Sequence, residues 1–334
     1  MININDILQR LIAGGTLSSQ EARDIVVGIS NQQIPDLSTG AILTAMQMRG
    51  ATVDEILGFR QGILATGVPA RLDAGDYIDV VGTGGDQKNT FNISTCACFV
   101  IAGAGYKVAK HGNYAATSVS GASDVIEAHG VKFTADLDRL NRSIDECGFV
   151  YLHAPLFARA MKSVAPVRKA LPFPTVFNLL GPLVNPSQPR YQLLGVATLD
   201  QMRLYSSIYK KMGIDYGIVN SIDGYDEISL TGDFKVTTTN VERLYSPAQL
   251  GLPVADPVNL RGGTSKAEAV QIFDSVLRGT ANADQQNVVV ANAAYGIGVM
   301  EPRMSIADTV LAARESLESG RALGVLKKYV ALNS

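Results

Sequence analysis

Apolar residues recur at helical spacing between residues 3 and 67, and the repeat is interrupted at Gly14-Gly15, Pro35 and Gly50. This pattern predicts four short helices. Two of their starts carry the capping-box spacing, Ser18 with Glu21 and Thr52 with Glu55. Nothing in the stretch alternates as a strand would, so a small all-helical domain is expected at the N-terminus. The period changes after Gly67-Val68-Pro69-Ala70 and Asp73-Ala74-Gly75-Asp76, a turn-rich passage that marks a boundary near residue 70.

Beyond it, strands and helices alternate. Strands are expected at 77–81, 106–109, 131–133, 149–152, 191–197, 217–219 and 227–230. Helices are expected at 96–104, 136–147, 155–171 and 201–212. Alternation with short connections implies an α/β domain whose mostly parallel central sheet is flanked by helices. Prolines at 172 and 174 and across 180–189 interrupt that pattern. Residues 234–245 alternate with β-branched residues and predict an antiparallel pair or an edge strand. Helices then run to the C-terminus at 264–277, 285–295 and 306–329, the last broken near Gly320.

A chain of 334 residues with this apolar fraction has room for two domains and a sizeable core. The net charge of −2 supplies no global basic field for nucleic acid or an anionic membrane, so a phosphate ligand would have to be held locally. Three cysteines, Cys96, Cys98 and Cys147, form neither an even disulfide framework nor a zinc site, and read as reduced, buried residues of a cytoplasmic protein. The N-terminus lacks a basic segment followed by a long apolar core. No run of about 18 apolar residues suggests membrane insertion.

The chemistry concentrates between residues 77 and 121. A buried strand empties into Gly82-Thr83-Gly84-Gly85-Asp86, where little side-chain bulk keeps a ligand from the backbone amides. Asn92, Ser94 and Thr95 are cap-type residues before the next helix, so strand, glycine turn and helix N-terminus form an anion cradle. The following strand delivers Lys110-His111-Gly112-Asn113 and a small-residue run from Ala115 to Gly121, a second lobe for a polyanion. Gln87 rules out a dinucleotide fingerprint, and Gln87 with Asn89 rules out a P-loop. Farther on, Asp223-Gly224-Tyr225-Asp226-Glu227 offers hard oxygen ligands of the kind Mg²⁺ takes together with substrate phosphates, or else an acidic surface turn. Lys110 is either a solvated loop lysine or a phosphate contact, and Arg168 either a helix-surface arginine or a fork for a carboxylate.

The ordered segments GTGGD (82–86), TFNIST (90–95), VAKHGN (108–113), SGASDVIEAHG (120–130), VAPVRKAL (164–171), FNLLGPLVNP (177–186) and DGYDEISL (223–230) resemble anthranilate phosphoribosyltransferase over nearly the whole chain. The resemblance implies transfer of a phosphoribosyl group from 5-phosphoribosyl 1-pyrophosphate (PRPP) to the amine of anthranilate, in tryptophan biosynthesis, with Mg²⁺ neutralising the departing pyrophosphate. It implies PRPP contacts from Gly82, Gly85, Asp86, Thr90, Asn92, Ile93, Ser94, Thr95, Lys110, His111, Gly112, Asn113, Ala115, Ala116, Thr117 and Ser118. Anthranilate would meet Gly82, Asn113 and Arg168, and the metal would be held by Ser94, Asp226 and Glu227. No general acid or base is assigned, because an aryl amine is already nucleophilic near neutrality.

The family also implies that residues 165–188 return to the helical domain, leaving 71–164 and 189–334 as the α/β domain, and that the helical segment mediates a homodimer. Leu8, Leu11 and Ile12 are apolar residues available to such an interface. Tyr114, Ala122, Asn220 and the Ala158-Arg159 pair depart from the family pattern, where arginine, serine, histidine and His-Pro are usual. His129 reads as a residue at a helix C-terminus and His153 as packing. Two rivals share the architecture, a pyrimidine nucleoside phosphorylase and a non-catalytic nucleic-acid-binding relative. The Asp-Glu pair and VAPVR speak against the first, the retained cradle and absent basic face against the second.

Overall fold

The computed structural model describes residues 3–115 and 118–334, and these gather into two compact units, the first running to residue 71 and taking in 154–188, the second running from 72 to 153 and from 189 onward. Four helices open the chain: α1 (Ile4–Ile12), α2 (Ser19–Ser30), α3 (Asp36–Arg49) and α4 (Val53–Thr66). Both expected capping boxes form. Ser18 Oγ accepts from the Glu21 N–H, Thr52 Oγ1 from the Glu55 N–H, and each glutamate returns a carboxylate oxygen to the backbone N–H of its cap.

The second unit begins with β1 (Ile78–Gly82), α5 (Ile93–Gly103), β2 (Val108–Gly112), α6 (Ala122–Glu127), α7 (Leu137–Cys147) and β3 (Phe149–His153). The chain then re-enters the first unit as α8 (Ala154–Phe157) and α9 (Arg159–Ala170). The return thus starts at Ala154, earlier than the expected 165, and the single helix expected at 155–171 breaks at Ala158, whose ψ of 75° is not helical. Val164, Val167 and Phe177 join Ile25, Ile42, Phe59 and Ile63 among the buried side chains of this unit, with the Phe59 and Phe177 rings edge-on at 5.4 Å. Leu11 is part of that core at 2% exposure and Leu8 is half-buried, so of the three residues considered for an interface only Ile12 is exposed, at 77%.

The second unit resumes with β4 (Tyr191–Gly195), α10 (Leu199–Met212), β5 (Asp215–Ser221), β6 (Phe234–Thr238) and β7 (Glu242–Tyr245). Four helices follow: α11 (Lys266–Leu277), α12 (Ala283–Met300), α13 (Ile306–Glu318) and α14 (Arg321–Asn333). Its seven strands lie in the order β3-β2-β1-β4-β5-β6-β7, parallel through β5, with β6 and β7 antiparallel as the alternation at 234–245 predicts. Helix α5 is buried on nearly every side, which explains its unbroken apolar run.

Two expected strands are absent. At 131–133 the Lys132 N–H donates to the Asn333 carbonyl, and Phe133 stacks on His153, so the segment seals the flank of edge strand β3 instead of extending the sheet. At 227–229 the backbone is bonded by side chains, and the Leu230 carbonyl accepts from the Ala255 N–H. Asn292 on α12 takes both polar groups of Ile228, and Ser221 Oγ bridges the Glu227 carbonyl and the Ser229 N–H. Apolar content there suggested a strand, but these bonds replace a ladder partner.

Candidate functional site

Strands β1 and β4 run in register to Gly82 and Gly195, and at that end the chain holds its acidic turn. A Cβ on Gly82 would lie 2.5 Å from Asp226 Oδ2, and one on Gly195 would fall on the Asp226 carbonyl oxygen. Both positions therefore exclude side chains because the acidic turn packs directly on the strand ends. Past them the loop bends through left-handed backbone at Gly84 (φ 69°), Gly85 (80°), Gln87 (60°) and Asn89 (48°). The Thr83 N–H donates to the Gly195 carbonyl at 2.9 Å and the Gly84 N–H to Asp226 Oδ2 at 2.6 Å. A Cβ on Gly84 would meet no atom of the chain, and the positive φ there itself calls for glycine.

Three acidic groups meet at this loop. Burial, then the charge of Asp86, raises the Asp226 carboxyl above the ordinary range, against the opposing Gly84 N–H. Burial and the Asp226 charge likewise raise Glu227, which Lys110 and the Ser94 N–H oppose. Two adjacent carboxylates, 7% and 9% exposed, thus crowd each other with one buried ammonium in reach, an arrangement that a divalent cation would relieve. Thr83 Oγ1 and Asn92 Oδ1 are buried and have no hydrogen-bond partner among the described residues. Among the described residues no three His, Cys, Asp or Glu side chains form a cage for a metal.

The N-terminus of α5 faces the same loop, with no side-chain cap bond from Asn92, whose Nδ2 donates instead to the Ser120 carbonyl. Thr95 is buried, and Ile93 is a core residue whose N–H donates to the Phe91 carbonyl. Thr90 pairs its backbone with Arg261 in an isolated bridge. Lys110 belongs to β2 itself, not to the loop after it. It is 2% exposed, and Nζ donates to the Val80 carbonyl at 2.6 Å and to Ser94 Oγ at 3.4 Å. A buried ammonium bonded to one carbonyl and one hydroxyl excludes the solvated-lysine alternative. His111 donates its N–H to Asp79 Oδ1, and Gly112 lies against the Tyr151 hydroxyl.

In the second lobe Asp124, absent from the sequence reading, fixes the loop. Its Oδ2 accepts from the N–H groups of Gly121 (2.8 Å) and Ala115 (3.1 Å), while Oδ1 meets Lys266 Nζ at 2.6 Å. Its position three residues after Gly121 was the available signal, because an acidic residue there can reach back to the start of a helix. Asn113 Oδ1 accepts from the Tyr114 N–H, and Ser118 Oγ donates to the Ser120 carbonyl. Ala116 and Thr117 lie outside the described residues. Tyr114 donates its hydroxyl to Glu127, and His153 packs between Tyr114 and Phe133, with burial holding it below the usual histidine range.

Comparison with known proteins decides the family. The profile described as "Glycosyl transferase family, helical bundle domain" matches residues 5–67, and "Glycosyl transferase family, a/b domain" matches residues 74–323. An anthranilate phosphoribosyltransferase of Phocaeicola vulgatus is 56% identical over 328 residues, covering 98% of this chain and 99% of its own. The chain belongs to the anthranilate phosphoribosyltransferase family.

Another anthranilate phosphoribosyltransferase, from Cytophaga hutchinsonii, is 46% identical over 98% of this chain and all of its own. Among solved structures, the Thermus thermophilus enzyme superposes with TM-score 0.92 at 33% identity, over 98% of this chain and 99% of that one. A Saccharomyces cerevisiae anthranilate phosphoribosyltransferase in complex with PRPP and Mg gives 0.91 at 27% identity, over 98% and 97%. Of the departures from the family pattern, Asn220 is buried and donates to the Val196 carbonyl at 2.8 Å, which makes it a brace between β5 and the residue after β4.

Arg168 lies on α9 in the first unit, half-buried, 5.9 Å from the Phe177 ring centroid and 3.4 Å from Asn178 Oδ1. Burial lowers its guanidinium from the usual arginine value, and among the described residues its hydrogen bond goes to the Asn178 amide and not to a carboxylate. Cys96 and Cys98 are core residues of α5 whose thiols burial pushes up, Cys98 to about 12.

Proposed function

We propose that the chain transfers the phosphoribosyl group of PRPP to the amine of anthranilate, giving N-(5-phosphoribosyl)anthranilate and pyrophosphate, a step of tryptophan biosynthesis. The observation that carries this reading is the Asp226–Glu227 pair, buried beneath the glycine loop and tied to it through the Gly84 N–H. Ser94, Asp226 and Glu227 hold Mg²⁺, which when bound offsets negative charge on the diphosphate as it leaves. Gly82, Gly85 and Asp86 present the loop to the diphosphate, with Thr90, Asn92, Ile93, Ser94 and Thr95 around the start of α5. Lys110, His111, Gly112, Asn113, Ala115, Ala116, Thr117 and Ser118 take the phosphate ends. Gly82, Asn113 and Arg168 meet anthranilate, whose carboxylate suits the guanidinium fork. Positioning and charge stabilisation carry the rate, because the neutral aryl amine needs no strong base.

The enzyme acts in the cytoplasm as a homodimer joined through its helical unit. Three free thiols support the first statement, and the exposed Ile12, Leu37 and Met48 of α1 and α3 support the second. No helix among the described residues is long and apolar enough to cross a membrane. The deciding experiment follows anthranilate fluorescence with PRPP present, with and without Mg²⁺. Consumption that needs both PRPP and Mg²⁺ is the expected result, and consumption indifferent to either overturns the reading.

A further inference from the structure

Asn292 sits at 1% exposure within α12, and nothing in the family motifs draws attention to it. Its Oδ1 accepts from the Ile228 N–H at 3.1 Å, and its Nδ2 donates to the Ile228 carbonyl and to the Val288 carbonyl, both at 2.9 Å. All three hydrogen-bonding positions of the amide engaged here are filled by backbone groups, so its orientation is fixed. Ile228 follows Glu227 directly, and its segment has no strand partner. From the other side Ser221 Oγ donates to the Glu227 carbonyl at 2.8 Å. Three residues of irregular, buried backbone, Glu227 to Ser229, are therefore held by two side chains, and the turn ends at Leu230, whose φ is left-handed at 57° and whose carbonyl accepts from the Ala255 N–H.

We infer that Asn292 is a positioning residue for the acidic pair: its amide clamps the Ile228 backbone and so sets where the Glu227 and Asp226 carboxylates stand relative to the glycine loop. The inference rests on the proposed metal role of that pair. Outer partners that orient metal-binding carboxylates characteristically affect affinity about 10-fold to 100-fold. A side chain that merely filled the core would affect stability alone. Asn333 provides the matched control, because it too is a buried helix asparagine whose Nδ2 donates to the carbonyl four residues earlier, Tyr329, and to another element, Ser143 Oγ, both at 2.9 Å.

The test compares Asn292→Ala, Asn292→Asp and Asn333→Ala. Mn²⁺ binding in the presence of PRPP is followed by electron paramagnetic resonance, and steady-state kinetics are measured with each substrate and Mg²⁺ varied in turn. Thermal unfolding reports the folded fraction. Both Asn292 variants are expected to weaken Mn²⁺ binding and raise the Mg²⁺ concentration for half-maximal activity about tenfold or more, with KM for anthranilate changed less than about twofold. Asn292→Asp keeps the acceptor for the Ile228 N–H and loses the donor, so it tests the clamp without opening a cavity. Asn333→Ala should lower stability with Mn²⁺ binding unchanged. Unaltered Mn²⁺ binding in a folded Asn292 variant overturns the inference. Should Asp226→Asn with Glu227→Gln also leave Mn²⁺ binding intact, the metal reading itself fails, a separate and recognisable result. If Asn292→Ala does not fold, the same criterion is applied to Asn292→Asp.

Discussion

Gly84 donates its backbone N–H to Asp226 Oδ2 at 2.6 Å, across 142 residues of sequence. One bond thus ties the glycine loop, built by the end of β1, to the acidic turn that follows β5. The bond stabilises the charged form of a carboxyl that burial and Asp86 push the other way. The glycine loop and the acidic turn are parts of one local structure, and a change at either should register at the other.

Replacing Asp226 with Asn and Glu227 with Gln should lower turnover at least about a hundredfold, and chelation of Mg²⁺ should do the same to the parent enzyme. Burial and mutual repulsion destabilise this pair in its charged form, so the neutral variant should be at least as resistant to heat as the parent when no substrate is bound. Activity and thermal unfolding measured on one preparation decide the matter. Retained turnover would remove both residues from the metal site.

Gly195→Ala places a methyl group on the Asp226 carbonyl oxygen, so either the acidic turn or the end of β4 must shift. Overpacking of this kind costs about 1–3 kcal/mol of stability. The KM for PRPP should rise several-fold on the same account, because Asp226 no longer meets the Gly84 N–H. Urea unfolding and kinetics with PRPP varied are the checks, and an alanine variant with parental constants would show that the contact can relax freely.

The α/β alternation, the helical N-terminal segment and the glycine-rich turn after β1 were legible because each rests on local signals: period, caps, and a glycine run. What escaped was tertiary. Residues 227–230 look like a strand until Asn292 and Ser221 are seen to satisfy their backbone. Gly195 is unremarkable in sequence, and only the approach of Asp226 gives it meaning. Lys110 follows the apolar Val108 and Ala109 in β2, and its burial goes with Val80 and Ser94 offering oxygen atoms, which no spacing rule reveals. Leu11 and Ile12 are adjacent apolar residues at one helix end, and packing alone makes the first core and leaves the second exposed.

Stability of the first unit should depend on Glu55. This carboxylate is fully buried; burial alone would raise its pKa, but Arg49 at 2.6 Å and the N–H groups of Thr52 and Leu17 outweigh that and hold it below the usual glutamate value. Removing one partner of such a buried pair costs about 3–5 kcal/mol, so Glu55→Gln should unfold at clearly lower urea. Because the native value is depressed, the contribution is fully present above the unfolded-chain value of about 4.3 and is lost as pH falls through the native one. The parent should therefore lose stability below about pH 4 more steeply than Glu55→Gln does. Parallel pH profiles of the two proteins give the comparison.

Arg168 and Lys110 should separate the two substrates. Arg168 is a half-buried guanidinium that meets the Phe177 ring and makes a long bond to Asn178, and no carboxylate pairs with it among the described residues. Arg168→Ala should cost roughly 2–4 kcal/mol of transition-state stabilisation when anthranilate is varied and leave the KM for PRPP nearly unchanged. Lys110 is buried beside Ser94 and counters the charge of Glu227, so its loss should act on the phosphorylated substrate. Lys110→Met keeps much of the apolar stem and removes the charge, which limits the packing loss that truncation to alanine would add. It should raise the KM for PRPP about tenfold or more, with anthranilate affected far less. Steady-state kinetics with each substrate varied in turn read both effects. If the two variants shift both constants together, the two residues do not divide the substrates between them and act through the fold instead.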